Sequence, residues 1–404
     1  MKDAMISFTV SAKDKSARVG KIITPHGPIE TPAFVHVGTQ ATVRAVSSRE
    51  LNKLGSRVII TNAYHLHLQP GEDLVAEMGG LHSFMGWEGP LMTDSGGFQI
   101  FSLGAAREHG VGKVASVFPG ERDRGGHFAS KKKKPLVRID EEGVEFTSYL
   151  DGAIHCFTPE GVVDMGRKFG SDIILPLDEC TSPLHDYPYT RAAMERTHRW
   201  ALRALEKLHS TPGNGQGLLG IIQGGAYRDL REESAGFIAN QSFDGFAIGG
   251  SLGKSKEDMC HVLDWTTPFL PEDKPRHLLG IGEIYDIFQV VKRGIDLMDC
   301  VLPTRLARTG TLFAKDTEGF RMHILNARFR DDPRPIEEGC GCPTCCNHSR
   351  AYLRHLFTAK EPLAEHLAAI HNLHFIESLM KQIRSAIKEG ELEGLAAEWN
   401  IHKG

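Results

Sequence analysis

Leu218-Leu219-Gly220-Ile221-Ile222-Gln223-Gly224-Gly225 is a short apolar run that ends on one amide side chain and two glycines. Apolar on every residue and bounded by a turn signal, it reads as a strand buried on both faces, the signature of a parallel sheet covered by helices. The same grammar recurs outward in both directions. Towards the N-terminus it appears at Ala33–Val37, Val58–Asn62, Pro90–Asp94 and Asp172–Asp178; towards the C-terminus at Gly245–Gly249, His277–Gly282 and Leu297–Leu302. Amphipathic stretches lie between the runs, at Ser48–Leu54, Pro159–Phe169, Arg191–Leu208 and Tyr285–Gly294. Eight strands alternating with helices predict an α/β fold, a (β/α)8 TIM barrel. A doubly wound open sheet has the same local pattern, but no Gly-x-Gly-x-x-Gly follows the first strand. The strand ends carry Asn62, Asp94, Asp178, Gln223, Gly249-Gly250 and Asp299. A barrel gathers such residues on one mouth, whereas an open sheet spreads them along an edge.

The 404 residues are 41% hydrophobic and 24% charged, which suffices for a large core, and the net charge of −4 excludes a general polyelectrolyte binder. Contact with nucleic acid would need a local basic patch. No apolar run is long enough to span a bilayer, and Met1-Lys2-Asp3-Ala4 lacks the character of a signal peptide. A soluble, cytoplasmic protein is expected. The barrel is assigned to 1–330, with a basic insertion at about 105–138 that includes Lys131-Lys132-Lys133-Lys134. Residues 331–374 are expected to form a zinc-binding subdomain, and 375–404 a C-terminal helix completing the barrel.

Four of the 8 cysteines cluster in Cys340-Gly341-Cys342-Pro343-Thr344-Cys345-Cys346. Three thiolates spaced Cys-x-Cys-x-x-Cys can wrap one soft ion, so a structural zinc is expected. The fourth ligand is open among Cys346, His348, His355, His366, His371 and His374. His65-Leu66-His67 also has metal-site spacing, but no further ligand set follows at later strand ends, which argues against a catalytic metal there.

Met92-Thr93-Asp94-Ser95-Gly96-Gly97-Phe98-Gln99 puts a carboxylate at a strand end before two glycines and an aromatic that could stack on a flat ligand. Asp296-Leu297-Met298-Asp299 supplies a second carboxylate in the last strand, and Asp296 and Asp299 compete for the role. Two carboxylates at one mouth suit displacement at a sugar C1, one attacking and the other moving protons. Arg305 and Arg308 follow, placed to clamp phosphates.

On these segments, together with Thr61–Leu66, Leu177–Cys180, Phe246–Gly250 and Asp299–Arg305, the chain resembles the tRNA-guanine transglycosylases from about Ser16 onward, the insertion excepted. The resemblance implies exchange of guanine at the tRNA wobble position for a 7-deazaguanine base, through a covalent glycosyl-enzyme, in queuosine biosynthesis. It implies Asp299 as nucleophile and Asp94 as general acid/base. Asp178, Gln223, Gly249 and Gly250 would recognise the base and Phe98 stack on it, with Asn62, Gln99 and Cys180 in support. Arg305 and Arg308 would contact the anticodon loop, and Cys340, Cys342, Cys345 and His371 would hold one zinc. The implied partners are tRNAs with GUN anticodons (Asp, Asn, His, Tyr), and a second copy of the chain meeting it through the zinc region. A non-catalytic partner subunit of such enzymes lacks the catalytic carboxylates; this chain has both. The relative that modifies the tRNA elbow carries further C-terminal domains. Ser251-Leu252-Gly253, where bacterial members read Leu-Ala-Val, suggests a roomier pocket that admits queuine as well as 7-aminomethyl-7-deazaguanine.

Overall fold

The computed structural model describes residues 6–101, 137–210 and 215–401. Eight strands, labelled β1 (Ala33–Val37), β2 (Ile59–Asn62), β3 (Leu91–Asp94), β4 (Ile173–Ile174), β5 (Gly217–Ile222), β6 (Gly245–Ile248), β7 (Arg276–Leu278) and β8 (Leu297–Cys300), form a closed barrel in sequence order. All neighbouring pairs are parallel, and β8 returns to β1 with Asp299 opposite Val35. Each run read from the sequence overlaps one of these strands, with β5 and β7 beginning one residue earlier than their runs.

The barrel is filled rather than hollow. Val35, Ile60, Met92, Ile173, Leu219, Ile221, Ala247 and Leu297 form one interior cluster. Its lower end is closed by the antiparallel sheet Ser7–Asp14, Ala17–Thr24 and Gly27–Thr31, which adds Phe8, Ile22 and Ile29 to the same cluster. Alternate residues face the helices: Phe246, Ile248, Leu278 and Met298 belong to the outer layer with Val290, Ile376 and Met380. Helix boundaries follow local chemistry. Thr158 caps Pro159–Phe169 by accepting from the Gly161 amide, and Gly170 ends that helix at φ +70°, where a side chain would be strained.

The 28-residue helix Pro362–Glu389 closes the barrel between its first and last strands. Its Glu377 bonds His36 of β1 at 2.8 Å, and Arg384 donates to the Pro32 carbonyl at 2.7 Å. The expected boundary at 374/375 falls inside this helix, because its apolar face is continuous from Leu367 to Ile387. The hairpin Thr311–Phe313 and Arg321–His323 follows β8 and packs against the same helix. Most of the expected basic insertion, Lys131–Lys134 included, lies outside the described residues; its end enters a three-stranded sheet of Val137–Ile139, Val144–Thr147 and Ile154–Phe157. Among the described residues no helix is long and apolar enough to cross a membrane.

Candidate active site at the barrel mouth

Asp94 ends β3 beside Asn62, which ends β2 in register with it. The Asn62 amide donates to both Asp94 oxygens, at 2.7 and 2.9 Å, and to Gln99 Oε1 at 2.8 Å, while its own carbonyl caps the helix Ala63–Leu68. The Gly96 amide donates to Asp94 Oδ1 at 2.9 Å. Gly96 has φ +74°, and a Cβ there would lie 2.4 Å from Tyr64, so the turn that folds the chain back under Asp94 requires glycine. Burial raises the Asp94 carboxyl to about 7; the hydrogen bonds from Asn62 and Gly96 oppose the rise, and the charges of Asp299 and Asp178 add to it.

Asp178, beyond β4, accepts from Gln223 Nε2 at 2.6 Å and from Ser95 Oγ at 3.4 Å. Burial raises its carboxyl to about 6 against these bonds. Gln223 Oε1 is buried without a partner, and a Cβ on Gly250 would approach it to 2.0 Å. An orphan amide oxygen beside a carboxylate offers acceptors to the donor edge of a planar ligand. Arg231 braces this wall. Fully buried, it donates to the carbonyls of Ile222, Gly225, Gly249 and Ser251 at 2.7–3.0 Å, tying the end of β5 to the end of β6. Cys180 is half-buried next to Asp178, and burial pushes its thiol up.

The competition between Asp296 and Asp299 resolves by position. Asp296 precedes β8 at the closed end and is fully buried, where Arg18 grips both oxygens at 2.9 and 2.5 Å and the Arg276 amide donates at 2.7 Å. Asp299 lies three residues further along, towards the mouth. Its Oδ1 receives His277 Nε2 at 2.9 Å and the Gly280 amide at 3.3 Å. Among the described residues no donor reaches Oδ2.

Phe98 stands half-exposed just past Asp94. The helix Leu302–Arg308 carries Arg305 outward and Arg308 partly inward. Burial lowers the Arg308 guanidinium, and the charges of Arg44 and Arg305 add to that. These arginines are crowded cations, the arrangement that a phosphate relieves.

The cysteine cluster lies apart from the mouth. Sγ of Cys340, Cys342 and Cys345 lie 3.9, 3.5 and 3.4 Å from His371 Nδ1. Ligands ~2.0–2.3 Å from a tetrahedral zinc lie roughly 3.5–3.8 Å from one another, so these four residues fit one ion. His371 Nε2 donates to the Phe313 carbonyl at 2.7 Å, which leaves Nδ1 free to ligate. Cys346 is exposed, and His366 is engaged by Ala45 and Glu50. His67 pairs with Glu72 and His155 rather than with His65. A third group, His26, His82 and Asp172, gathers at the opposite end of the barrel. Its two rings stack 3.5 Å apart at 16°, so their in-plane lone pairs do not converge on one ion.

Gly253 lies at the turn before the helix Lys256–Thr266. Its φ is +101°, and a Cβ there would lie 2.2 Å from Asp258 Cβ, inside the capping box of the helix Lys256–Thr266. On this backbone a side chain at Gly253 would run into that helix start, so the conformation requires glycine. Sequence reading missed His277, Ser95 and Arg231. His277 opens a run already read as a strand, Ser95 sits inside a quoted motif, and Arg231 lies on the helix Arg228–Ala239, which the sequence reading did not assign.

A filled parallel barrel gathers three carboxylates, Asp94, Asp178 and Asp299, and the side-chain amides of Asn62, Gln99 and Gln223 on its mouth, and by the relatives it matches it is the barrel of a pentosyltransferase. Residues 13–403 match the family model described as queuine tRNA-ribosyltransferase. A Roseiflexus protein named queuine tRNA-ribosyltransferase is 44% identical over 98% of this chain and 99% of its own length. One from Herpetosiphon aurantiacus with that name is 46% identical over 97% and 91%. A protein of Archaeoglobus fulgidus, carrying the name provisionally, is 50% identical over 98% and 99%. The chain belongs to the queuine tRNA-ribosyltransferase family.

Proposed function

We propose that the protein exchanges guanine at the wobble position of GUN-anticodon tRNAs for a 7-deazaguanine base. One observation carries this reading: two carboxylates on one mouth sit in opposite environments. Asp94 is held near neutrality by burial, whereas Asp299 has one oxygen tethered and the other free. In the proposed reaction Asp299 Oδ2 attacks C1′ of the wobble ribose. The bond from C1′ to the purine nitrogen breaks, and guanine leaves with the electron pair and takes the proton of the Asp94 carboxyl, leaving Asp94 ionised. The incoming base loses its proton to Asp94 and displaces Asp299, restoring the carboxylate.

Asp178, Gln223, Gly249 and Gly250 bind the guanine-like edge in this reading, with Phe98 stacked on the face. Asn62 and Gln99 hold Asp94, and Cys180 packs behind Asp178. A base in a single-stranded loop can leave its stack at modest cost. Arg305 and Arg308 take anticodon-loop phosphates.

One zinc at Cys340, Cys342, Cys345 and His371 would be structural, since four protein ligands leave no open position for chemistry. When bound, it would tie the loop at 340–345 to the helix that closes the barrel. We assign the protein to the cytoplasm, where tRNA is, and propose a homodimer through the zinc region, supported by the exposed Tyr352 and the His348 ring stacked on it.

The test is incubation with tRNA carrying labelled guanine at the wobble position, together with candidate bases. Release of label that depends on the added 7-deazaguanine base supports the reading; retention of label with a folded, tRNA-binding protein contradicts it.

A further inference from the structure

We propose that His277 is the positioning residue for Asp299, a role that rests on Asp299 being the nucleophile. His277 lies on β7, next to β8, and is fully buried. Arg276 and Leu278 on either side of it face outward, so the pleat turns His277 inward, on the face of the barrel that carries Asp299. Its Nε2 meets Asp299 Oδ1 at 2.9 Å. A carboxylate only accepts, so Nε2 carries the proton. The other ring nitrogen, Nδ1, is buried with no partner.

That arrangement is costly as structure. A buried nitrogen without a partner is a penalty that an apolar side chain of the same volume avoids. The ring makes one polar contact, and that contact is to the proposed nucleophile. With the Gly280 amide it saturates Oδ1 and fixes the carboxylate plane, so that Oδ2 is the oxygen presented to the mouth. The same two donors serve both halves of the reaction. In the glycosyl ester, Oδ1 becomes the carbonyl oxygen and still accepts from Nε2. When the incoming base displaces Asp299, charge returns to the carboxylate and the hydrogen bond strengthens, favouring its departure.

The test compares His277→Phe, which keeps the volume and removes the donor, with His277→Gln, whose amide nitrogen can reach the place of Nε2. Asp299→Ala is run beside them. His277→Phe is expected to lower kcat for base exchange about 10- to 100-fold, the range of one hydrogen bond to a charged group. KM for tRNA should stay within about twofold, because the ring touches no phosphate site. Its thermal midpoint should be unchanged or higher, which separates loss of positioning from loss of fold. His277→Gln should recover most of the lost kcat. A Phe variant with wild-type kcat, or a folded Gln variant as slow as Phe, overturns the role of His277 while leaving Asp299 in place. An Asp299→Ala variant that still exchanges bases overturns the underlying reading and this role with it.

Discussion

Replacing Asn62 by alanine should move the pH dependence of base exchange towards alkali. Asn62 gives its amide to both oxygens of Asp94, and it is one of the groups opposing the rise of that carboxyl to about 7. A hydrogen bond to a charged acceptor contributes ~1.5–3 kcal/mol net. At ~1.36 kcal/mol per pKa unit, its loss raises Asp94 by about one to two units. If ionised Asp94 takes the proton from the incoming base, the ionised fraction at pH 7 falls from about half to roughly 1–10%, a loss of about 5- to 50-fold in kcat. The loss should shrink as pH rises towards 9. The sign for stability is independent of catalysis. A carboxyl raised in the folded state destabilises progressively as pH rises through its folded value. Wild type should therefore lose this contribution between about pH 4 and 7, and the variant should go on losing it into the next one or two units. At pH 4, where Asp94 is protonated in both, the lost helix cap and the lost bond to Gln99 Oε1 remain, about 1 kcal/mol each. The assays are kcat against pH and urea unfolding at pH 4, 7 and 9. An acidic limb that stays in place, or moves to lower pH, refutes the claim that Asn62 sets the protonation of Asp94.

Further expectations concern the metal, the tRNA face and the base pocket. Elemental analysis should find one zinc per chain, lost in Cys342→Ser and in His371→Ala but kept in Cys346→Ser; retention in His371→Ala means that the fourth ligand is another residue. Chelation should lower the unfolding temperature without first abolishing exchange in the protein that remains folded, and loss of activity ahead of unfolding argues for a catalytic ion. Arg305→Ala and Arg308→Ala should each weaken tRNA binding and reduce the magnitude of the slope of log affinity against log salt by about 1, as expected for one phosphate contact; an unchanged slope removes that arginine from the interface. Asp178→Asn should raise KM for the base well before it affects tRNA affinity, and equal losses in both place Asp178 outside the base site.

The barrel was legible because its strands are apolar on both faces and so stand out as continuous runs. Helices such as Ser48–Leu54 and Pro159–Phe169 were legible to the residue, since caps and C-terminal glycines mark their ends. The N-terminal sheet that plugs the barrel was not read: Ser7–Asp14 turns Phe8, Val10 and Ala12 inward and polar residues outward, a half-buried alternation unlike the continuous apolar runs that mark the barrel strands. The candidate site was legible as a set of strand-end residues, but not as a network. Asp296 and Asp299 look alike in sequence; only the direction of β8 separates the one locked by Arg18 at the closed end from the one facing the mouth.

The central claim is that Asp299, not Asp94, bonds to the ribose. Enzyme and tRNA mixed in the absence of an incoming base, denatured and digested with nuclease and protease, should leave one peptide heavier by a ribose-containing fragment. Mass spectrometry of that peptide tests the claim most directly. The added mass is expected on Asp299 within the peptide spanning 294–305, present in wild type and absent in Asp299→Ala. The same mass found on Asp94, or persisting in Asp299→Ala, would contradict it.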